Sequence, residues 1–468
     1  MNHSGENTKE TNKKEMIRKG DGNMKKADVV VIGGSAAGIP AAITARRHYP
    51  DKSVLLVRKE KQVLIPCGIP YIFGTVGKPE NNLIPDGVLA NNGIELVVDE
   101  VSGIKKDEKK LNLAGGEEIA YEKLVLANGS TPLVPPIPGI DKKNVFSVKK
   151  DVSHMHTLLE TLGDTKDLVI LGGGFIGVEF ADECKKNRDI NVTIVEMLPH
   201  CLMLAFEEEF CIEAEEKLRE RGINVMTNAK LEEILGDEKV TGVKLSNGQT
   251  LKADAVIVGI GVRPNTKLAE DAGLEVSRGG IVVDTNMRTS DEHIFACGDC
   301  AAKKSFFTGK PSGLWLASVA TMESRIVGAN LFGTRRENRG SVGVFSTAIG
   351  DLVLGVAGMS EKAAIEEGFD VAVGAAESVN RHPGGMPGMA KMKVKLIFNK
   401  KNGELIGGNV RGGPSAGEMV NTISACIQKK MTADDIATFQ LGTHPAVTAS
   451  PIAYQLVNAA ELALMKMK

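Results

Sequence analysis

The sequence predicts an α/β protein in which one strand–turn–helix–strand unit occurs twice along 468 residues. Residues 28–34 (DVVVIGG) are a β-branched run that ends in glycines, residues 35–49 have helix-forming composition, and residues 53–57 (SVLLV) form the next predicted strand. The same order returns at residues 167–196. Each unit has roughly the thirty residues that a βαβ crossover needs, so each should form a parallel sheet.

Two further segments divide the chain. Residues 131–140 (TPLVPPIPGI) carry four prolines, which exclude a regular helix and mark a crossing between domains. Residues 289–301 (TSDEHIFACGDCA) predict a strand and a Gly-Asp turn, and a helix is expected at 314–331.

The last block is expected to be an interface domain. It mixes a strand-like run at 393–398 with helices at 415–430 and 451–466, and it lacks a third glycine fingerprint. The expected boundaries are a disordered leader at 1–26, a first domain at 27–148 that resumes at 271–340, a second domain at 149–270 and the last domain at 341–468.

Composition and charge exclude several classes of protein. The formal net charge is −2 and no basic stripe stands out beyond the leader, so nucleic acid is not an expected partner. No run of about 18 apolar residues predicts a membrane span. Seven cysteines, an odd number without the density of a disulfide framework, indicate a reducing compartment, with cytoplasm as the default.

The second unit has the full glycine pattern of a dinucleotide-binding turn. Gly172 allows the tight turn, Gly174 lets the backbone reach a pyrophosphate, and Gly177 lets helix and strand pack closely. Glu196 ends the next strand, where a carboxylate accepts hydrogen bonds from ribose hydroxyls and repels a 2′-phosphate. Glycine turns also occur for packing alone, but the terminal acid favours a site that prefers NADH over NADPH.

The first unit is less regular. It has Gly33 and Gly38, while Ser35, which is still small, stands where the middle glycine is expected. Arg58 occupies the position of the ribose-binding acid, and Glu60 can replace that acid only if the loop bends back. Taken alone, this unit is equally compatible with a nucleotide site and with a purely structural turn.

The chain resembles the flavoprotein disulfide reductases that contain two dinucleotide-binding domains. The motifs are GGSAAG at 33–38, LANGSTP at 126–132, GGGFIGVE at 172–179, VGIGVRPN at 258–265 and IFACGD at 294–299. The resemblance runs from about residue 27 to the C-terminus. It implies two Rossmann-type domains, the first binding FAD and the second NADH, and a C-terminal α+β domain that forms a homodimer.

The resemblance also implies roles for individual residues. Ala127, Asn128 and Gly129 are expected beside FAD, and Asp299 is expected to contact its ribityl and phosphate region. A helix N-cap is the alternative role for Asp299. Glu179 ends the second glycine motif and is assigned with it to the NADH site.

Residues 63–71 (VLIPCGIPY) are most similar to the single-cysteine branch of this family, which includes coenzyme A-disulfide reductases, polysulfide or persulfide reductases and NADH oxidases. The resemblance makes Cys67 the redox-active residue, and Ile72 stands where two-cysteine relatives carry the second sulfur. A thiolate is the reactive form, and a nearby oxidised flavin or helix N-terminus can lower its pKa. A buried structural cysteine is the alternative.

Two other motifs have competing interpretations. Cys297 and Cys300 form a C-x-x-C, but no second pair lies at zinc-ribbon spacing, so packed cysteines are favoured over a metal site. His444 begins HPAVT, similar to the His-Pro with which two-cysteine relatives protonate a departing thiol across the dimer. A loop histidine before a rigid proline is equally open. The remaining cysteines, all in apparent helices, are Cys184, Cys201, Cys211 and Cys426.

Together these features predict NADH-dependent reduction of a disulfide, persulfide or polysulfide, including coenzyme A disulfide, through FAD and Cys67. An NADH oxidase is the alternative enzyme, although Ala36 stands where oxygen- and peroxide-reducing relatives often place a histidine. A non-enzymatic flavoprotein that senses NADH or carries electrons is the alternative from another class. No metal is expected.

Overall fold

The computed structural model describes residues 24–467. Two mainly parallel sheets and one antiparallel sheet, all packed against helices, confirm the predicted α/β fold with its C-terminal α+β domain. No helix in this part of the chain is long and apolar enough to cross a membrane. Most of the predicted leader lies outside the described residues, and its expected end is two residues late, because the first strand already begins at Lys25.

The first sheet has seven strands and holds the first glycine turn. Across the sheet they are Glu95–Val98, Val54–Arg58, Lys25–Ile32, Glu118–Leu126, Lys110–Leu113 and Val101–Lys105, with Ile294–Ala296 also paired to Glu118–Leu126. The helices of this part are Gly38–His48 and Ala317–Asn330, which pack on each other. Its central strands are buried on both faces, as their continuous apolar runs require.

The second sheet has five parallel strands and holds the second glycine turn. Their order is Ile223–Met226, Asn191–Val195, Asp167–Leu171, Ala255–Val258 and Val145–Ser147. The helices are Val152–Gly163, Phe175–Lys185 and Glu208–Glu220, and an antiparallel sheet of Leu231–Leu235, Gly242–Leu245 and Thr250–Lys252 shares an apolar core with the parallel strands.

The third sheet has five antiparallel strands and forms the C-terminal part. Their order is Val344–Ile349, Leu352–Gly358, Leu405–Gly412, Lys391–Asn399 and Val371–Val379, and the helices are Glu361–Glu366, Ala416–Gln428, Ala433–Ala437 and Gln455–Leu464. The last helix is shorter than predicted, because Pro451–Ala453 forms a separate turn before it.

Short elements connect these parts. Ser130–Pro132 pairs with Val262–Pro264, so the proline-rich segment begins at a ribbon between the two units. The other short strands are Val276–Ser277, Gly280–Ile281, Lys303–Lys304 and Pro311–Ser312, and the short helices are Gly87–Ala90 and Lys267–Asp271. The remaining tight helical turns are Pro66–Gly68, Pro70–Phe73, Pro79–Asn82, Lys106–Glu108 and Gly298–Cys300.

Candidate active site

The two glycine turns have nearly the same backbone geometry. Gly33 and Gly172 have φ of +110° and +105°, a region that other residues rarely adopt. A Cβ at Gly38 would lie 1.8 Å from the carbonyl oxygen of Gly33, and a Cβ at Gly177 would lie 1.9 Å from that of Gly172. No atom lies within 4 Å of the point where a Cβ of Gly174 would stand, chain neighbours aside. Each turn thus brings a helix N-terminus close to its strand and fits a dinucleotide pyrophosphate.

Glu196 lies over the second glycine turn. Its carboxylate accepts hydrogen bonds from the backbone N–H of Gly173 at 2.6 Å and of Leu198 at 2.7 Å. Its Cβ and Cγ are each 3.1 Å from the point where a Cβ of Gly173 would stand. The acid expected to bind ribose therefore also ties the turn to the end of its strand.

Arg58 lies over the first turn in the same way. Its side chain is 1% exposed, and its Cδ is 2.5 Å from the point where a Cβ of Gly34 would stand. Nε donates to the carbonyl oxygen of Glu60 at 2.8 Å, and Nη2 donates to the carbonyl oxygen of Lys61 at 3.0 Å and to Oδ2 of Asp86 at 2.9 Å. Sequence reasoning missed Asp86, which no motif marks.

Residues 127–129 lie against the first turn, since a Cβ at Gly33 would be 2.2 Å from the carbonyl oxygen of Ala127. Asn128 makes two hydrogen bonds with Asn265 of the second unit. Nδ2 of Asn128 donates to the carbonyl oxygen of Asn265 at 3.0 Å, and Nδ2 of Asn265 donates to the carbonyl oxygen of Asn128 at 2.8 Å. Gly129 has φ of +69°.

Asp299 lies in the turn Gly298–Cys300 and accepts a hydrogen bond from Oγ of Ser130 at 2.6 Å. Lys150 is 3.5 Å from the same carboxylate oxygen. The next helix begins at Ala317 with Leu316 as its N-cap, so Asp299 does not take the alternative role of capping that helix.

A buried ion pair supports the turn that carries Asp299. Lys303 and Glu323 are 1% and 0% exposed, with Nζ and Oε2 3.0 Å apart. Oε2 also accepts the N–H of Gly298 at 2.8 Å, and Nζ donates to the carbonyl oxygen of Ala301 at 2.7 Å. Burial raises the pKa of Glu323 to about 6. Sequence reasoning missed this pair, because nothing in the motif shows where a later lysine and glutamate meet.

Cys67 is the one exposed thiol among the seven cysteines, all of which lie in the described residues. It sits in the turn Pro66–Gly68, which Asn82 holds in place. Nδ2 of Asn82 donates to the carbonyl oxygen of Ile65 at 3.0 Å, and its Oδ1 is 2.0 Å from the point where a Cβ of Gly68 would stand. The cysteine is thus presented on a fixed loop.

The chain's own groups raise the pKa of the Cys67 thiol, opposite to the expected lowering by a flavin or a helix N-terminus. Although Cys67 is exposed as a residue, partial burial of its thiol is the largest cause, followed by the charge of Glu179, with Lys150 acting in the opposite direction. Burial also raises the pKa of Glu179 to about 7, although Oγ1 of Thr347 donates to its carboxylate at 3.0 Å.

His444 is exposed in an irregular loop of the C-terminal part. Its N–H donates to Oγ1 of Thr448 at 2.9 Å, and its Nδ1 accepts from the N–H of Ala446 at 3.2 Å. No hydrogen bond joins it to the Cys67 loop within residues 24–467 of one chain. Its expected contribution across a dimer stays a prediction.

The other cysteines are buried. Sγ of Cys300 lies 3.3 Å from the carbonyl oxygen of Cys297, and the described part of the chain holds no cluster of metal-ligating side chains. Cys201 lies in a turn, so the prediction of a helix there was wrong. The carboxylate of Glu215 accepts the Cys201 N–H at 2.9 Å, which supports the irregular backbone.

The chain matches two models of one protein family over most of its length. A family model described as pyridine nucleotide-disulphide oxidoreductase matches residues 27–324, and the model of its dimerisation domain matches residues 344–452. The chain is 31% identical over 453 residues to a protein named NADH oxidase from Methanocaldococcus jannaschii, covering 94% of this chain and 99% of the relative.

Two sulfur-related proteins are equally similar. The chain is 32% identical over 432 residues to an NAD(P)H sulfur oxidoreductase (CoA-dependent) from Pyrococcus furiosus, covering 90% of this chain and 96% of the relative. The solved structure of an NAD-dependent persulfide reductase from A. fulgidus superposes with a TM-score of 0.86 at 32% identity, covering 94% of this chain and 83% of that chain.

Proposed function

Because the chain belongs to the pyridine nucleotide-disulfide oxidoreductase family, an FAD-dependent family of enzymes, we propose that it uses NADH to reduce a disulfide, persulfide or polysulfide through Cys67. The observation that carries the proposal is that Cys67 alone among seven thiols is exposed, on a loop held by Asn82. The names of the Pyrococcus furiosus and A. fulgidus relatives support a sulfur substrate.

The proposed chemistry needs one thiolate. NADH is the two-electron donor for each turnover, and FAD, when bound, would relay that pair of electrons to Cys67. The Cys67 thiolate attacks a substrate sulfur, the S–S bond breaks, and one sulfur leaves while the other stays on Cys67 as a mixed disulfide or persulfide. The two electrons then cleave that new bond, release the second sulfur and restore the thiolate. His444, brought across a homodimer, is the proposed proton donor to the departing sulfur.

Cys67→Ser tests this proposal. Serine has nearly the volume of cysteine, so folding and FAD binding should survive, but its hydroxyl does not form the attacking thiolate. We expect turnover of coenzyme A disulfide and polysulfide to fall on the order of 10³-fold or more, while NADH still bleaches the flavin. Cys426→Ala, which removes a buried thiol in the C-terminal part, is the matched control. Near wild-type sulfur reduction by Cys67→Ser would refute the mechanism.

An NADH oxidase is the second candidate, supported by the name of the Methanocaldococcus jannaschii relative. A lone exposed thiol can also pass through a sulfenic acid, with oxygen or peroxide as the electron acceptor. Steady-state rates with coenzyme A disulfide, polysulfide and oxygen separate the two candidates. A rate with oxygen that exceeds both sulfur rates would favour the oxidase.

We also propose that the enzyme is a homodimer formed through residues 344–452, which match a dimerisation domain. Val447 and Ile452, close in sequence to His444, are 61% and 89% exposed in the single chain, as expected of a surface that a second copy covers. Light scattering should give twice the chain mass. A monomeric mass at micromolar concentration with full activity would contradict the proposal.

A further inference from the structure

We propose that Asp86, held in place by Arg58, supplies the carboxylate that the first unit lacks at the end of its second strand, and that it binds the adenosine ribose of FAD. This inference rests on FAD binding in the first unit. It does not depend on the sulfur chemistry proposed for Cys67, so the two can fail separately.

Arg58 and Glu196 are equivalent in position. Each ends or directly follows the second strand of its unit, and each covers the middle residue of a Gly-Gly-x turn. The Cδ of Arg58 is 2.5 Å from the would-be Cβ of Gly34, and the Cγ of Glu196 is 3.1 Å from that of Gly173. In a dinucleotide fold this position lies beside the adenosine ribose.

The guanidinium of Arg58 is not itself available to a ligand. Its side chain is 1% exposed, and Nε and Nη2 are bonded to the carbonyl oxygens of Glu60 and Lys61. Nη1 lies 2.7 Å from Oδ1 of Asp86 but is out of line for a hydrogen bond, which leaves a buried donor without an acceptor. Both ends of the guanidinium thus converge on Asp86.

Asp86 is the exposed half of the pair. Its side chain is 53% exposed, and its carboxylate meets Arg58 through both oxygens, at 2.9 Å and 2.7 Å. The one hydrogen bond, from Nη2 to Oδ2, and the close charge contact between Nη1 and Oδ1 hold the carboxylate beside the guanidinium. The remaining lone pairs of Asp86 can accept hydrogen bonds from the two hydroxyls of a ribose, as the acid does in a regular turn.

Two alternatives do not fit: Asp86 as a helix cap, and Glu60 as the ribose-binding acid. Asp86 precedes the helix Gly87–Ala90, but its side chain makes no capping hydrogen bond. Glu60, which sequence reasoning offered as the replacement acid, uses its backbone carbonyl to hold Arg58, and its side chain has no hydrogen-bond or ion-pair partner within residues 24–467. Arg58 therefore acts as a positioning residue, and Asp86 is the ligand-facing acid.

The test compares FAD with an analogue that carries 2′,3′-dideoxyadenosine. The flavin is first removed from the full chain. The resulting apoprotein is then titrated into FAD or the analogue, and the dissociation constant of each is measured by flavin fluorescence. Losing a hydrogen bond to a charged group should weaken FAD binding by about 10- to 100-fold in Asp86→Asn. The wild type should lose a similar factor with the analogue, and Asp86→Asn should bind FAD and the analogue within about threefold of each other.

Two control variants complete the design. Asp107→Asn alters a carboxylate that is 90% exposed elsewhere in the same unit and should leave both constants unchanged. Glu60→Gln tests the competing acid. If Asp86→Asn leaves Arg58 unpaired and fails to fold, Arg58→Met with Asp86→Asn removes the buried charge and is judged by the same comparison. The proposal is overturned if Glu60→Gln carries the loss, or if the Asp86 variant still discriminates against the analogue as the wild type does.

Discussion

The two dinucleotide units share a turn and differ in the residue that covers it. Gly33 and Gly172 have nearly the same backbone conformation, and neither Gly38 nor Gly177 has space for a side chain. The residue above the turn is Arg58 in one unit and Glu196 in the other. This difference suggests that packing over the turn and recognition of the ligand can be separated. We expect Glu196 to do both, whereas we assign packing to Arg58 and recognition to Asp86.

Between the two units, the largest expected effects on cofactor affinity come from the shared glycines. Gly38→Ala and Gly177→Ala each drive a Cβ into a backbone carbonyl, an overlap that no rotamer relieves. We expect each to cost about 3 kcal/mol or about 100-fold in the affinity of its own unit for its cofactor. Gly38→Ala should lose FAD on desalting, and Gly177→Ala should keep FAD but require far more NADH to reduce it.

Gly163→Ala is the control for this pair, since no atom lies within 4 Å of its would-be Cβ. Loss of FAD from Gly177→Ala with retention by Gly38→Ala would reverse the assignment of the two units.

A smaller effect is expected from Glu196→Arg. The change removes the acid that we expect to face ribose and its two hydrogen bonds from the backbone of Gly173 and Leu198, and it adds a charge that attracts a 2′-phosphate. We expect NADH binding to weaken by about 1–3 kcal/mol and the ratio of NADPH to NADH affinity to rise. Glu232→Arg, on an exposed position of the same unit, should change neither. If the affinities for NADH and NADPH are the same before and after the change, Glu196 is not part of the nucleotide site.

The smallest effects are expected where the two units meet, at Cys67. Because the charge of Glu179 raises the pKa of the thiol and Lys150 lowers it, Glu179→Gln should lower that pKa and Lys150→Gln should raise it. Each should change the alkylation rate of Cys67 in the holoenzyme by about 2- to 10-fold at neutral pH, since burial is the larger cause.

The pH profile sharpens this prediction. The pKa of Glu179 is about 7, so the wild-type carboxyl is largely neutral below that pH and charged above it. Glu179→Gln should therefore match the wild type near pH 5 and react faster as pH rises through about 7. Slower alkylation of Glu179→Gln above pH 7 would contradict the described electrostatics.

The sequence predicted what depends on local spacing. The glycines, the acid at Glu196 and the strand before Asp299 follow from short patterns, and the sheets have the expected order of elements. Asp86 could not be predicted, because it lies 28 residues from Arg58 and only the fold joins them. For the same reason, the sequence could not show that Glu179 opposes the ionisation of Cys67.

The helix expected around Cys201 failed for a different reason. Composition alone suggested a helix, but the carboxylates of Glu196 and Glu215 accept backbone N–H groups from Leu198 and Cys201. Side chains that compete for backbone donors favour an irregular segment, and their reach across the fold is not visible in a local pattern.

The pairing of Ile294–Ala296 with Glu118–Leu126 bears on how the chain is made. Lys123 and His293, which are in contact, are 170 residues apart, and the whole second sheet is encoded between them. On the ribosome, the second unit can close its sheet while the end of Glu118–Leu126 still lacks this neighbour. The nascent chain thus carries an unpaired strand edge until translation passes residue 296. Such an edge can pair with another chain and aggregate, so we expect a chaperone to bind there.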